Sequence, residues 1–232
     1  MREENVNRKP IILFDLDGTL TESGEGIVKS VQYALASLGI EESDTDKLRA
    51  FIGPPLTDSF MRYYGLPKAQ TERAVAFYRE RFRSIGIFEN KLYPGIEEML
   101  RTLKEAGFVL AVASSKPEPF VRTILNHFGI ADCFDEVVGS TMDEKRTAKV
   151  DVIEEALLRL GQSGHRERVL MVGDKEHDVI GARLSSVACV AVLYGYGTRE
   201  ELENAGAAVM VETVDALTAY LLQAELQSCS RY

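Results

Sequence analysis

Seven consecutive residues, Phe14-Asp15-Leu16-Asp17-Gly18-Thr19-Leu20, follow the apolar run Ile11-Ile12-Leu13. A short buried strand here delivers two carboxylates, one residue apart, at its C-terminal end, and Gly18 lets the chain turn sharply. Ligands of open α/β sheets collect at the carboxyl ends of strands, so this is where chemistry is expected. On an extended strand Asp15 and Asp17 share a face with side chains ~7 Å apart, and a turn at Gly18 brings them closer. At ~5 Å and an effective dielectric of ~20, two carboxylates repel by about 3 kcal/mol. A nearby cation would relieve that strain. The pair therefore reads as a metal-assisted site, with a polar turn built from Asp and Gly as the alternative.

Two more apolar strands end in short polar residues. Residues 108–113 run into Ser114-Ser115-Lys116, and residues 169–172 into Gly173-Asp174-Lys175-Glu176-His177-Asp178. In a parallel sheet these ends share one edge, so groups distant in sequence converge. Carboxylates with water and substrate oxygens suit octahedral Mg²⁺, whereas zinc prefers His and Cys. A serine hydroxyl and the N–H groups of a following helix start suit an oxyanion such as phosphate. Lys149, opening the helix before the Asp174 strand, supplies a positive charge to anchor it, and Lys145 is close enough to compete for that role.

The elements that must position these groups alternate between strand and helix. That rhythm implies a mainly parallel, Rossmann-like α/β sheet with helices on both faces. The rhythm breaks after Asp17. From about Gly24 to Gly86 the chain reads as helices alone, over residues 27–38, 45–51, 57–64 and 69–84, with Gly39 and Gly65 placed to end the first and third. The expected organisation is a core of residues 1–21 plus 88–232 and an all-helical cap of residues 22–87. Within the cap, Gly53-Pro54-Pro55 is either a loop facing the substrate or a turn. Arg62, Arg79 and Arg81 either read a substrate anion or line a solvated helix face. Further on, Thr198-Arg199-Glu200-Glu201 has the form of a capping box.

Composition narrows the function classes. In 232 residues, 45% are hydrophobic and 27% charged, ordinary values for a soluble globular protein. The net charge of −9 argues against a nucleic-acid or anionic-membrane surface but not against anionic small molecules near a metal. Cys133, Cys189 and Cys229 form neither a disulfide framework nor a metal motif. Met1 to Pro10 is polar, without signal-peptide character, and no run approaches a membrane span. The expectation is a cytoplasmic protein, monomer or homodimer, with a small-molecule partner.

Asp15-Leu16-Asp17-Gly18-Thr19, then Ser114, Lys149 and Gly173-Asp174…Asp178, together resemble the four ordered motifs of the haloacid dehalogenase superfamily. Thr21-Glu22-Ser23-Gly24 and Tyr93-Pro94-Gly95 are similar to its phosphoglycolate-phosphatase-like branch, and the helical insertion falls where that branch carries its cap. The resemblance implies Asp15 as nucleophile, forming an aspartyl-phosphate, and Asp17 as general acid and then base. It implies Mg²⁺ held by the Asp15 and Asp174 carboxylates and the Asp17 carbonyl, with Asp178 as ligand or partner of bound water. Ser114, Ser115 with its neighbouring amides, and Lys149 would hold the phosphoryl oxygens. The chain departs from the pattern where Val150 follows Lys149, a place at which relatives often have proline, and at Lys175, where they carry a smaller or hydroxyl residue. His177 reads as structural or exposed.

The implied function is a Mg²⁺-dependent phosphomonoesterase. Phosphoglycolate, pyrophosphate, nucleoside monophosphates and sugar phosphates all stay open as substrates. Asp17 argues against dehalogenase and phosphonate chemistry. A phosphosugar mutase is the enzymatic alternative, disfavoured because His127, His165 and His177 all lie beyond the cap. A phosphate-binding protein without turnover is the alternative from another class.

Overall fold

The computed structural model describes residues 10–143 and 145–229; Met1 to Lys9, read above as polar, lie outside the described residues. In chain order the elements are β1 (Ile11–Phe14), β2 (Thr21–Glu22), α1 (Gly24–Ala36), α2 (Thr45–Arg49), α3 (Leu56–Tyr64), α4 (Lys68–Ser84) and β3 (Lys91–Leu92). Then follow α5 (Ile96–Glu105), β4 (Val109–Pro117), α6 (Glu118–His127), β5 (Glu136–Ser140), α7 (Lys149–Arg159) and β6 (Val169–Gly173). The chain closes with α8 (Glu176–Leu184), β7 (Ala188–Val192), α9 (Arg199–Ala205), β8 (Val209–Val211) and α10 (Val214–Cys229).

Six strands form one parallel sheet in the order β5-β4-β1-β6-β7-β8. The central place of β1 follows from its sequence: all four residues are apolar and all four are buried, as a strand covered on both faces requires. Ile12 and Phe14 face a cluster that includes Leu100 of α5, Val121 of α6 and Leu217 of α10. Ile11 and Leu13 face the opposite cluster, with Val152 and Ile153 of α7 and Ala182 of α8. The period of two thus sends alternate residues into two helical layers. Because β4 and β6 flank β1, the ends of these three strands, which carry Ser114, Asp15 and Asp174, lie side by side.

Helices α1 to α4 lie between β2 and β3, which pair antiparallel through Thr21 with Leu92 and Glu22 with Lys91. Two-residue strands carry too little apolar pattern to be read from sequence, and this ribbon was not expected. The insertion shares its core with the sheet layer: Phe82 of α4 stacks on Tyr78 at 5.3 Å and meets Phe120 of α6 at 5.6 Å. Its two ends also touch. A Cβ on Gly26 would lie 1.9 Å from the Gly86 carbonyl oxygen, so only glycine permits the approach of α1 to the end of α4.

Two local expectations need correction. β4 does not stop at Ser114 but continues to Pro117, with its register to β5 shifting between Ala113 and Pro117. Pro117 can belong to the strand although it donates no ladder bond because it is the last residue, beyond the register shift. At α9, Thr198 caps the helix by accepting from the Glu201 N–H at 3.1 Å. The Glu201 carboxylate, however, turns to Lys175 at 2.8 Å and the Glu176 N–H at 3.1 Å, so tertiary partners capture the glutamate.

The close approach of Gly26 to Gly86 gives a stability prediction. Gly26→Ala forces a Cβ against backbone, and chemical denaturation should show a loss of about 1–3 kcal/mol. Wild-type stability in that variant would show that the two chain crossings are not packed as described.

Candidate active site

The strand ends build the site from the backbone outward. β1 keeps its pairing past its last residue, the Asp15 N–H donating to the Val172 carbonyl at 2.9 Å. The chain then folds on itself: the Leu16 carbonyl accepts from Leu20 and Thr21, each at 2.9 Å, and Gly18 takes φ +83°. That is the sharp turn expected at Gly18, and it returns Asp17 to the same cavity as Asp15. A Cβ on Gly18 would lie 2.1 Å from the Asp174 carboxylate, so the glycine also makes room for the β6 end. Gly173 serves Asp178 likewise, with only 2.2 Å between a notional Cβ and the carboxyl carbon.

Asp15, Asp174 and Asp178 converge so closely that one carboxylate oxygen from each lies within 4.8 Å of the others, and all three residues are buried. Lys149 lies among them. Its ammonium is 2.9 Å from Asp15 Oδ1 and 2.8 Å from Asp178 Oδ1, and it donates to the Ala113 carbonyl at 3.0 Å. Burial disfavours the charged lysine, but Asp15 and Asp178 outweigh it and hold its pKa above the ordinary lysine value. Lys145, the competitor for this role, is exposed and pairs with Asp143 at 2.9 Å, so of the two it is Lys149 that enters the site.

Asp174 is the unbalanced member. Its Oδ2 accepts from the Tyr196 N–H at 2.7 Å and its Oδ1 from the Thr19 hydroxyl at 3.5 Å, but among the described residues no lysine or arginine forms an ion pair with it. Burial first, then Asp178 and Asp15, push its pKa well above the usual carboxylate range. Burial pushes Asp178 up as well, against the pull of Lys149. With all three ionised, these buried carboxylates and one ammonium would leave two negative charges in excess, which is why burial and the neighbouring carboxylates raise the pKa of Asp174. A hard divalent cation fits such an all-oxygen donor set and supplies what the lysine does not.

Ser114 is buried, and its hydroxyl accepts from the Lys116 N–H at 3.3 Å; Ser114 and Ser115 line the cavity with Asp15, Asp17 and Lys149. Lys116 was not singled out from sequence. Its ammonium pairs with Asp17 Oδ2 at 2.8 Å, both side chains nearly buried, and sits 4.6 Å over the Phe82 ring of α4. Strand alternation carried the signal, since residues 114 and 116 share a face.

The insertion contributes part of the cavity wall. Gly53-Pro54-Pro55 lines it, as do Phe51, Tyr78, Arg79 and Phe82, so this loop faces the site. Arg62 does not: it is exposed and stacks over Tyr63 at 5.6 Å. Arg81 is bound to Glu89 at 2.8 Å. His177 is exposed at the cavity rim, and Lys175 is committed to Glu201.

The charge imbalance predicts a stability effect in chelator. Asp174→Asn keeps an acceptor for the Tyr196 N–H but removes one buried negative charge, so its melting temperature in excess EDTA should exceed that of the wild type by a few degrees. Added divalent cation should raise the wild-type melting temperature and leave the variant nearly unchanged. A variant less stable than the wild type in EDTA would show that Asp174 is not under electrostatic strain.

Comparison with known proteins gives the site its setting. The family model described as haloacid dehalogenase-like hydrolase matches residues 12–192, which include Asp15, Ser114, Lys149 and Asp174. A Pseudomonas aeruginosa protein named 5'-nucleotidase is 48% identical over 84% of this chain and 87% of its own. A Mycobacterium tuberculosis protein named tyrosine-protein kinase PtkA is 39% identical over 89% of this chain and 70% of its own. A Pseudomonas syringae pv. tomato protein named phosphoglycolate phosphatase is 30% identical over 89% of this chain and 78% of its own. Among solved structures, a predicted phosphatase from Clostridium acetobutylicum superposes with a TM-score of 0.89 at 46% identity, covering 93% of this chain and 99% of that one. The parallel sheet, the ordered motifs at its edge and these similarities lead to one conclusion: the chain belongs to the haloacid dehalogenase-like hydrolases.

Proposed function

We propose that this protein is a Mg²⁺-dependent phosphomonoesterase that hydrolyses a small phosphate ester through an aspartyl-phosphate on Asp15. The observation that carries the reading is the buried cluster of Asp15, Asp174, Asp178 and Lys149 opening into a cavity that also holds Asp17 and Ser114.

In this reading an Asp15 oxygen attacks phosphorus in line, a P–O bond forms to the carboxylate, and the P–O bond to the ester oxygen breaks. Asp17 gives its proton to the departing alkoxide, then takes one from the water that attacks the phosphoryl-aspartate and frees inorganic phosphate. The Lys116 ammonium, 2.8 Å from Asp17 Oδ2, supports this reading by holding that carboxyl in the same cavity as Asp15. Ser114, Ser115 and Lys149 hold the equatorial oxygens, where negative charge concentrates. The Asp15 and Asp174 carboxylates, the Asp17 carbonyl and Asp178, directly or through water, would hold Mg²⁺. When bound, the cation would neutralise charge on the nucleophile and the phosphoryl group.

The substrate is small because helices α1 to α4 act as a cap, residues 22–87, on a core of residues 1–21 and 88–232. Gly53 to Leu56, with Tyr78, Arg79 and Phe82, line the cavity from the insertion, and a folded phosphoprotein would clash with them. The names of the relatives set the order of a phosphate-release screen: nucleoside 5'-monophosphates first, then phosphoglycolate, pyrophosphate and sugar phosphates, with a phosphotyrosyl protein as the opposing arm. The reducing, cytoplasmic setting fits Cys133 and Cys189, which are free thiols.

Asp15→Asn should lower turnover by at least ~10³-fold, and chelation should abolish wild-type turnover until Mg²⁺ is restored. Full turnover in either case contradicts the mechanism. For the best small ester, kcat/KM should exceed that for any phosphoprotein by at least ~10²-fold, about 2.7 kcal/mol in transition-state binding. Equal efficiency on a folded phosphoprotein would contradict the roofed cavity.

A further inference from the structure

The segment Tyr194-Gly195-Tyr196-Gly197, which follows β7, takes no part in the chemistry proposed above, yet it binds three parts of the site at once. The Tyr194 phenol donates to the Thr19 carbonyl at 3.0 Å, in the turn that carries Asp17. The Tyr196 N–H donates to Asp174 Oδ2 at 2.7 Å. The Tyr196 phenol oxygen accepts from the Gly24 N–H, also at 2.7 Å, at the first residue of α1.

Glycines make this packing possible. A Cβ on Gly195 would lie 2.3 Å from the Gly18 carbonyl oxygen and 2.4 Å from Asp174 Cβ, and one on Gly197 would lie 1.9 Å from the Asp174 carbonyl oxygen. The backbone of this segment therefore lies flush against the loop that holds the unbalanced carboxylate. At its other end it supplies what α1 lacks. The first N–H groups of a helix have no acceptor within the helix, and Ser23 at the N-cap makes no side-chain capping bond. Tyr196, distant in sequence, provides the oxygen instead.

We propose that Tyr196 is a positioning residue that couples the Asp174 carboxylate to the entry of the helical insertion. Its N–H orients Asp174, its phenol holds the start of α1, and a tyrosine has only two side-chain torsions to absorb a shift between them. A cation held by Asp174 would pull on the carboxylate that the Tyr196 N–H orients, and the phenol would pass that pull to Gly24. Charge uptake at the strand ends is thereby linked to the position of the insertion that roofs the cavity. The proposal rests on the functional reading only in taking Asp174 as a carboxylate that receives a divalent cation.

The test uses the full chain, Mg²⁺ alone as the probe, and Tyr196→Phe, which removes one oxygen. Without metal, amide hydrogen exchange at Gly24 should be at least about fivefold faster in the variant, while β1 exchanges as in the wild type. Mg²⁺ should slow exchange over residues 24–27 in the wild type but not in the variant, although it raises the melting temperature of both. In steady state the variant should show a several-fold higher KM for the best ester with kcat little changed, a split that general destabilisation would not give. Gly24→Ala, whose Cβ would stand 3.0 Å from the same phenol oxygen, perturbs the contact from the other side and should also uncouple Mg²⁺ from exchange at residues 24–27. A Mg²⁺-dependent rise in melting temperature with identical exchange in wild type and both variants would overturn the coupling alone. Absence of any Mg²⁺ effect on wild-type melting would overturn the metal reading and the coupling with it.

Discussion

A single buried ammonium holds the edge of the sheet together. The Lys149 ammonium reaches three elements: the Asp15 carboxylate after β1, the Ala113 carbonyl in β4, and the Asp178 carboxylate in the first turn of α8. Room for its stem comes from α8, where a Cβ on Gly181 would lie 2.8 Å from Lys149 Cγ. A buried ammonium is costly unless paired, and buried carboxylates equally so. The pairing makes each tolerable to the other at strand ends whose spacing the sheet already sets. Yet it is incomplete by design of charge: one lysine meets three carboxylates, and Asp174 is left with hydrogen bonds but no ion pair among the described residues. Two like charges ~5 Å apart at an effective dielectric of ~20 repel by about 3 kcal/mol. A site with that residual repulsion favours a divalent cation and, through it, a phosphate dianion.

Much of this was legible in the residues themselves. The unbroken apolar run of β1 could only be a strand buried on both faces, and its end had to carry Asp15 to the carboxyl edge. The helices between Gly24 and Gly86 announced themselves by spacing, and Gly65 ends α3 in the left-handed conformation at φ +62° as a stop signal should. What escaped were contacts made only by folding. The two-residue ribbon β2–β3 has no periodicity to detect. The Glu201 carboxylate satisfied a local capping pattern on paper, but Lys175 offered a stronger partner. Lys116 looked like a strand-end residue, and only the return of Asp17 through the Gly18 turn shows why it matters. Tyr196 carried no sequence signal beyond its flanking glycines.

The site is divided between rigid and adjustable parts. Asp15, Asp174 and Ser114 sit at the ends of strands buried in the middle of the sheet, so their positions follow from the core. Asp17 sits one turn later, held by Lys116, whose ammonium also lies against Phe82 of the insertion. The residue assigned to proton transfer is thus linked to the insertion through Lys116. In the proposed reading, Asp15 is held by the core while the insertion decides what reaches it. The core carries the family's ordered motifs, and Phe51, Pro54, Tyr78 and Arg79 of the insertion line the cavity beside them.

The central claim is that phosphoryl transfer passes through Asp15, and it can be read directly. Wild-type protein turning over its best ester with Mg²⁺ would be quenched, the acyl phosphate reduced with borohydride, and the reduced residue located by peptide mass spectrometry. The account predicts reduction of one aspartate, at position 15, that disappears when ester or Mg²⁺ is omitted. Reduction at any other carboxylate, or steady turnover with no trapped phosphoryl group under conditions that trap an authentic acyl phosphate, would contradict it.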